Sequence, residues 1–348
     1  MLTILSVGFA LAPVGPDAVG GAEQVLSALD AALVARGHRS IVVACAGSHA
    51  AGELVEAAPA PTAPIDDGQR DRAQSATRRA VAEIVRREPV DVVHLHGLDF
   101  AACLPPPGVP TLATLHLPPA WYPPEALAPA RADTWLNCVS AAQHAACPSG
   151  TRLLPPIANG VAIERFASAT HARRAFALML ARICPEKGVH LALDAARVAD
   201  LPLLIGGAVF PYPAHRVYFE QEIRPQLDER RRFLGPLGFA RKRRLLATAR
   251  CLLVPSLAPE TSSLVAMEAL ACGTPVIAFP AGALAEIVEH GRTGFLVSDT
   301  TEMAEAMRLA PTIDPAACRA AARSRFSEAT MVAAYLDRYA LLARRAAA

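Results

Sequence analysis

The chain has 348 residues, 53% of them hydrophobic and 19% charged, with a formal net charge of +2. That length and apolar content suit about two domains with substantial cores, and the small net charge argues against a dedicated nucleic-acid binder. The eight cysteines, Cys45, Cys103, Cys138, Cys147, Cys184, Cys251, Cys272 and Cys318, form no C-x-x-C pair, so reduced, mostly buried thiols of a cytosolic protein are expected, not a zinc or disulfide framework.

The first run, MLTILSVGFALAPVG, lacks the positive region of a signal peptide and reads as a buried strand over 2–7. A helix follows over 20–38, with Val25, Leu26, Leu29, Leu33 and Val34 repeating on one face and Gly37 ending it. SIVVACA (40–46) is the next strand, and 56–68 reads as a loop. A basic amphipathic helix over 71–87 leads to strand VDVVHLHG (90–97). Strands PTLATLH (110–116), TWLNCVS (134–140) and TRLLPP (151–156) finish the first half.

A polar connector, NGVAIERFASATHARR (159–174), precedes a second series. It contains strand 176–182, helix 188–199, strands 202–207 and 232–237, helix 240–249 and strand 251–256. A helix after Glu260, strand 275–280, a short helix near 283–289, strand 293–297 and two final helices follow. No uninterrupted apolar 18-mer occurs, so no membrane-spanning helix is expected. Apolar strands between helices imply parallel sheets covered on both faces. Two such series imply two doubly wound domains, whose ligands bind at the carboxyl ends of the strands. A two-domain version would bind in the cleft between them.

Three stretches carry chemistry. Gly20 and Gly21 open the first helix, where a ligand can approach the backbone closely and an anion is favoured; a flexible turn is the plainer alternative. LMLARICPEKGVHLALDAA (178–196) sets Arg182 at a strand end and Lys187 just before a helix, a pair suited to a diphosphate or merely solvated. SLAPETSSLVAMEALACGTPV (256–276) carries Glu260 and Glu268. Thr261 or Ser262 can cap its helix and Gly273 can stop it, so Glu268 is expected in the third turn. Eight helical residues span roughly 12 Å, comparable to the reach from a sugar to a ribose across a diphosphate. Amides near Ser263 and Leu264 would lie between the two acids, and carboxylates bind sugar hydroxyls strongly. Two surface glutamates would show the same spacing. Neither G-x-G-x-x-G nor the P-loop signature occurs.

Together these segments resemble the family-4 glycosyltransferases of the GT-B fold. The resemblance rests on Glu260-x7-Glu268 within PSLAPETSSLVAMEALACGTPVIAFPAGALAEIVEHGRTGFLV and on Arg182-x4-Lys187 within LARICPEKGVH. It extends to Gly20-Gly21 within VGGAEQVLSALDAALVARGH and to IANGVAIERF at the connector, in family order across nearly the whole chain. It implies two Rossmann-like α/β domains facing each other across a cleft. Residues 1–165 would bind the acceptor and 166–327 the nucleotide sugar, with the last helix, 328–348, packing back on the first domain. Closure about 159–174, with a second crossing near 325–330, would assemble the site.

The resemblance further implies a retaining, hexosyltransferase-type transfer from a UDP-, GDP- or ADP-sugar to a sugar, lipid or small-molecule hydroxyl. Glu268 would hold the ribose and Glu260 the transferred sugar. Arg182 and Lys187 would neutralise the diphosphate. Ser263, Leu264 and Val265, with Gly20 and Gly21, would give backbone contacts, and Gly235 in FLGPLG would lie beside the base. His116 matches a position facing sugar and acceptor, with a positioning or electrostatic role, whereas His94 and His96 read as structural. The positions after Glu260 read Thr-Ser-Ser where many relatives are glycine-rich, and WYPPEALAP (121–129) has no assignable pattern. No D-x-D occurs, so a metal-independent reaction without a cofactor is expected. Arg241, Lys242, Arg243 and Arg244 read as a solvated face, against a weak peripheral membrane contact. The rival readings are a GT-B epimerase or phosphorylase, a non-catalytic nucleotide-sugar-binding module and a nicotinamide dehydrogenase. Ala-rich composition points to a GC-rich bacterial genome.

Overall fold

The computed structural model describes residues 1–60, 62, 65–167 and 174–346. Residues 168–173 of the connector, and 61, 63 and 64 of the stretch 56–68, lie outside the described residues. The chain divides into two compact units, Met1–Asn159 with Ala329–Ala348, and Gly160–Glu328.

In the first unit, strands β1 (Thr3–Val7), β2 (Arg39–Cys45), β3 (Glu53–Ala58), β4 (Val92–Leu95), β5 (Thr111–Leu115), β6 (Thr134–Cys138) and β7 (Leu153–Leu154) form one sheet. Their order is β3-β2-β1-β4-β5-β6-β7, with parallel pairing throughout. Successive residues feed opposite faces, as strand geometry requires. Ile4, Val92 and Leu112 pack with helices Gly21–Ala35 and Glu328–Ala346, whereas Leu5, Val93 and Ala113 pack on the other side. Both faces are covered, which is why these strands read as continuous apolar runs.

β3 differs from the loop read over 56–68. Its sequence, ELVEAA, is too polar to look like a buried strand, but it lies at the sheet edge, where charge is tolerated. Arg39 on β2 pairs with Glu53 at 3.0 Å across that edge. The basic helix starts earlier than its apolar pattern, at Asp67, because the Asp66 carboxylate accepts from the Gln69 amide at 2.6 Å.

The second unit holds β8 (Ala177–Leu180), β9 (Leu203–Gly206), β10 (Arg231–Phe233), β11 (Cys251–Val254), β12 (Val276–Ala278) and β13 (Gly294–Leu296). Their order is β10-β9-β8-β11-β12-β13, again parallel. Leu178, Leu252 and Val276 face one core, and Met179, Leu253 and Ile277 the other. Three helices end the chain, Thr300–Leu309, Pro315–Arg325 and Glu328–Ala346, where the pattern suggests two. Asp314 caps the middle one, with Pro315 in its first turn, so one periodic stretch becomes two helices.

Strand order reverses between β1 and β4 in the first unit and between β8 and β11 in the second. In doubly wound sheets, ligands bind beyond the carboxyl ends of strands at such reversals.

Candidate active site

The segments after β8 and β11 carry most of the chemistry anticipated in the second unit. Lys187 lies in the turn that follows β8, and Glu260 in the segment that follows β11. The two meet with Lys187 Nζ donating to Glu260 Oε1 at 2.6 Å, and the Ser256 hydroxyl donates to the same oxygen. Their side chains are 27% and 11% exposed, so the pair is shielded but reachable. Gly188 makes this meeting sterically feasible. Its φ is +64°, and an added Cβ would strike the Pro255 carbonyl at the end of β11.

Glu260 is not on the helix. It forms a parallel bridge with Gly282, its amide donating to Ala281 O at 3.2 Å and its carbonyl accepting from Ala283 N at 2.8 Å. The helix runs Leu264–Ala271, with Ser263, not Thr261 or Ser262, at the N-cap and no side-chain cap bond from Ser263. Only part of the separation between the two glutamates is therefore helical, and Glu268 sits in the second turn, not the third. The 12 Å helical span does not apply, because the bridge to Gly282 holds Glu260 instead. Gly273 ends the helix with φ +76°, as its position suggests.

The amides of Leu264 and Val265, with that of Ala266, open this helix, where backbone N–H groups lack intrahelical acceptors. Glu268 is 4% exposed, and burial raises its carboxyl pKa against the lowering effect of Lys242. Lys242 Nζ donates to Glu268 Oε1 at 2.6 Å. The run 241–244 is thus not wholly a solvated face. Lys242 precedes the fully buried Leu246 by four residues, so helical spacing places both on the inward side of helix Phe239–Thr248. That spacing was the signal available in the sequence.

Arg182 stands just beyond β8, with its guanidinium carbon 5.4 Å from the Phe210 ring centroid. Its Nε is buried and has no hydrogen-bond partner among the described residues. Cys184, Glu186 and His215 gather around it, with one ligand-type atom from each within 4.8 Å of the others. Burial and then Arg182 lower the His215 pKa, and the guanidinium charge opposes a cation there. Gly235 follows β10 at φ +70°, and its carbonyl accepts from Gly207 N at 2.9 Å.

Gly20, Gly21 and His116 belong to the first unit. Gly20 is the N-cap of helix Gly21–Ala35, and an added Cβ would strike the Glu23 carboxylate. Glu23 is 8% exposed, and burial raises its pKa. The chain's own carboxylate therefore lies against Gly20. His116 follows β5, where the Tyr122 hydroxyl accepts from the His116 and Leu117 amides at 2.9 and 3.2 Å. Burial of its ring lowers the His116 pKa to about 4, so the imidazole is neutral at physiological pH. His94 and His96 are buried on β4 and just beyond it, in hydrogen-bond contact with one another and, through His96, with His116.

All eight cysteines are free thiols. Among the described residues, no helix is long and apolar enough to cross a membrane.

The family model for glycosyl transferases group 1 matches residues 174–310, and that for glycosyltransferase family 4 matches residues 19–151. Among curated proteins, a phosphatidyl-myo-inositol mannosyltransferase of Mycobacterium leprae is 32% identical over 35% of this chain and 33% of its own length. A D-inositol 3-phosphate glycosyltransferase of Mycobacterium sp. strain KMS is 34% identical over 39% and 31%. The matches thus span about a third of these relatives. Among solved structures, AviGT4, a glycosyltransferase involved in avilamycin A biosynthesis, is 25% identical with a TM-score of 0.73, covering 99% of this chain and 98% of that one. Anabaena HepE in complex with UDP and glucose is 21% identical with a TM-score of 0.74, covering 98% and 100%. With two matched family models, two parallel sheets and the paired glutamates, this chain belongs to the family-4 glycosyltransferases of the GT-B fold.

Proposed function

We propose that the chain moves a sugar, with retention, from a nucleoside diphosphate sugar to a hydroxyl acceptor, and that no divalent cation bridges the donor. The observation that carries this reading is the Lys187–Glu260 pair at the β8/β11 reversal. Breaking the sugar–phosphate bond builds negative charge on the diphosphate and positive character on the sugar. Arg182, Lys187 and the amides of Ser263, Leu264 and Val265 stabilise the first, as preorganised donors should. Glu260 accepts from hydroxyls of the transferred sugar, and Glu268 from the ribose. Gly235 lies beside the base, and Gly20 and Gly21 give backbone contacts. His116 positions the sugar or acceptor. Uridine nucleotides bound to HepE make UDP-sugars the first donors to try, with GDP- and ADP-sugars next. The inositol-directed names of the curated relatives put polyols and glycolipids among the first acceptors. A cytosolic location suits free thiols beside a nucleotide-sugar supply.

Neither magnesium nor manganese should raise the transfer rate, because cationic side chains take the place that D-x-D-bound metal takes elsewhere. A rate restored by either ion after chelation contradicts this. The product should keep the donor's anomeric configuration, read from the anomeric proton coupling, and an inverted product overturns the retaining assignment. No carboxylate stands out as a covalent nucleophile, so the working mechanism is same-face displacement, and a trapped glycosyl-enzyme would replace it. Transfer to an acceptor separates this reading from an epimerase or phosphorylase. Donor binding without turnover would identify a binding module.

A further inference from the structure

The segments after β8 and β9 stay paired beyond the sheet. The Ala181 amide donates to Gly206 O at 3.1 Å, and the Ile183 amide to Ala208 O at 3.0 Å. This pairing brings Cys184 and Glu186, in the turn after β8, to His215 in the first turn of helix Pro213–Tyr218. One ligand-type atom from each lies within 4.8 Å of the others. Both halves are anchored. Tyr218 Oη accepts from the His190 amide at 3.2 Å, which ties the His215 helix to helix Val189–Val198. The Tyr212 ring packs edge-on to the His215 ring, 5.1 Å between centroids. The Glu186 carbonyl accepts from the Leu257 amide at 2.8 Å, which fixes the turn from the β11 side.

The cluster is short of internal partners. Glu186 Oε2 and His215 Nδ1 are buried and have no hydrogen-bond partner among the described residues. Cys184 is fully buried, and its S–H reaches Arg182 O only at a long 3.7 Å. Buried polar atoms left unpaired are costly, so two such atoms beside a thiol point to a ligand that pairs them.

The donor set decides which ligand. A thiol, an imidazole and one carboxylate suit a borderline transition metal, whereas Mg2+ and Ca2+ require mainly oxygen. The Arg182 guanidinium opposes a bare cation here. It equally favours an ionised thiol and carboxylate beside it, and those two charges cancel the charge of a divalent ion.

We propose that Cys184, Glu186 and His215 form a zinc site, with water as the fourth ligand of an open tetrahedral centre. Binding breaks the Cys184 S–H bond, forms a Zn–S bond and releases the proton to solvent. Bond lengths of roughly 2.0–2.3 Å set the ligand atoms about 3.5 Å apart, so the side chains need close by only about 1 Å. None of the three ligands is assigned to the donor, and the inference does not rest on the transferase reading. It places a metal in the same turn as Arg182 and Lys187 without bridging a diphosphate.

The test is titration of the full, reduced, nucleotide-free chain with Co2+ as a spectroscopic probe, followed by displacement with Zn2+. A thiolate–cobalt charge-transfer band should saturate at one equivalent and be bleached by one equivalent of Zn2+. Cys184→Ser should abolish the band. His215→Ala should weaken affinity by at least about tenfold, since loss of even an outer partner of a ligand costs that much. Two other clusters compete for the ion, the Cys138 and Cys147 thiols 3.6 Å apart and the contacting rings of His94, His96 and His116. Cys147→Ser and His96→Gln should therefore leave the band unchanged. A band lost in Cys147→Ser and kept in Cys184→Ser overturns the proposal. So does metal binding without a thiolate band, or no binding at micromolar ion. If Cys184→Ser fails to fold, His215→Ala, at a partly exposed position, decides alone.

Discussion

Glu268 is a carboxylate with only 6% of its side chain exposed, held by Lys242 at 2.6 Å. Burial is the larger effect on it and raises its pKa. Removing one partner of a buried pair is strongly destabilising, because the other charge is left uncompensated. Lys242→Met should cost about 3 kcal/mol at neutral pH by that precedent. The sign with pH is definite. Glu268 without its lysine holds its proton more tightly than the unfolded chain does, so the penalty shrinks as pH falls toward the ordinary carboxylate value near 4.5. Urea titrations at neutral and mildly acidic pH check both statements, and a penalty independent of pH contradicts the pairing. The two glutamates were legible in the sequence by their spacing within a known pattern. Lys242 was not, because a run of four basic residues looks solvated until helical spacing against Leu246 is followed through.

The first unit's histidines give a second prediction. Burial lowers His116 to about 4 and His94 and His96 well below 6.5. Groups with lowered folded pKa values contribute stability that is present above their unfolded value and lost as pH falls toward the folded one. Each histidine should therefore cost about 1.4 kcal/mol per pH unit below 6.5. Asp99 works the other way, since burial raises it to about 6 and its contribution is lost as pH rises through that value. The histidines begin to titrate first on acidification, so stability should fall as the pH drops below 6.5. His96→Gln should make that fall shallower, and an unchanged slope refutes the burial account.

At the scale of elements, the site depends on two loops that approach each other at the β8/β11 reversal. Gly188 is a point of close approach, with φ +64° and no room for a Cβ beside the Pro255 carbonyl. Gly188→Ala places a methyl group against a backbone carbonyl at a left-handed position and should cost about 1–3 kcal/mol. It should also weaken nucleotide binding, because Lys187 and Glu260 are held apart. A fully stable variant with normal binding contradicts this geometry. The strands of both sheets were legible because burial on two faces makes them apolar without interruption. β3 was not, because an edge strand carries charges that read as a loop. The helix Leu264–Ala271 was legible in kind but not in its start, since neither Thr261 nor Ser262 caps it and the bridge from Glu260 to Gly282 is a contact between distant segments.

At the scale of the whole molecule, two doubly wound sheets follow from the alternation of apolar runs and helices, and the family from the order of its motifs. The donor chemistry proposed for the second unit draws on residues from three separate segments, 182–187, 235 and 260–268, which no single motif reveals. Sugar, base and acceptor depend on shape and hydrogen bonding around these segments, which composition and spacing do not encode. The measurement that tests the account most directly is thermal unfolding of the full chain without added metal. The panel holds UDP, GDP, ADP, their sugars and NAD, repeated on Glu268→Ala and Lys187→Ala. A nucleoside diphosphate at 100 times its Kd should stabilise the fold by about 2.7 kcal/mol, and both variants should lose that shift. Stabilisation by NAD alone, or a nucleotide shift that both variants retain, would contradict it.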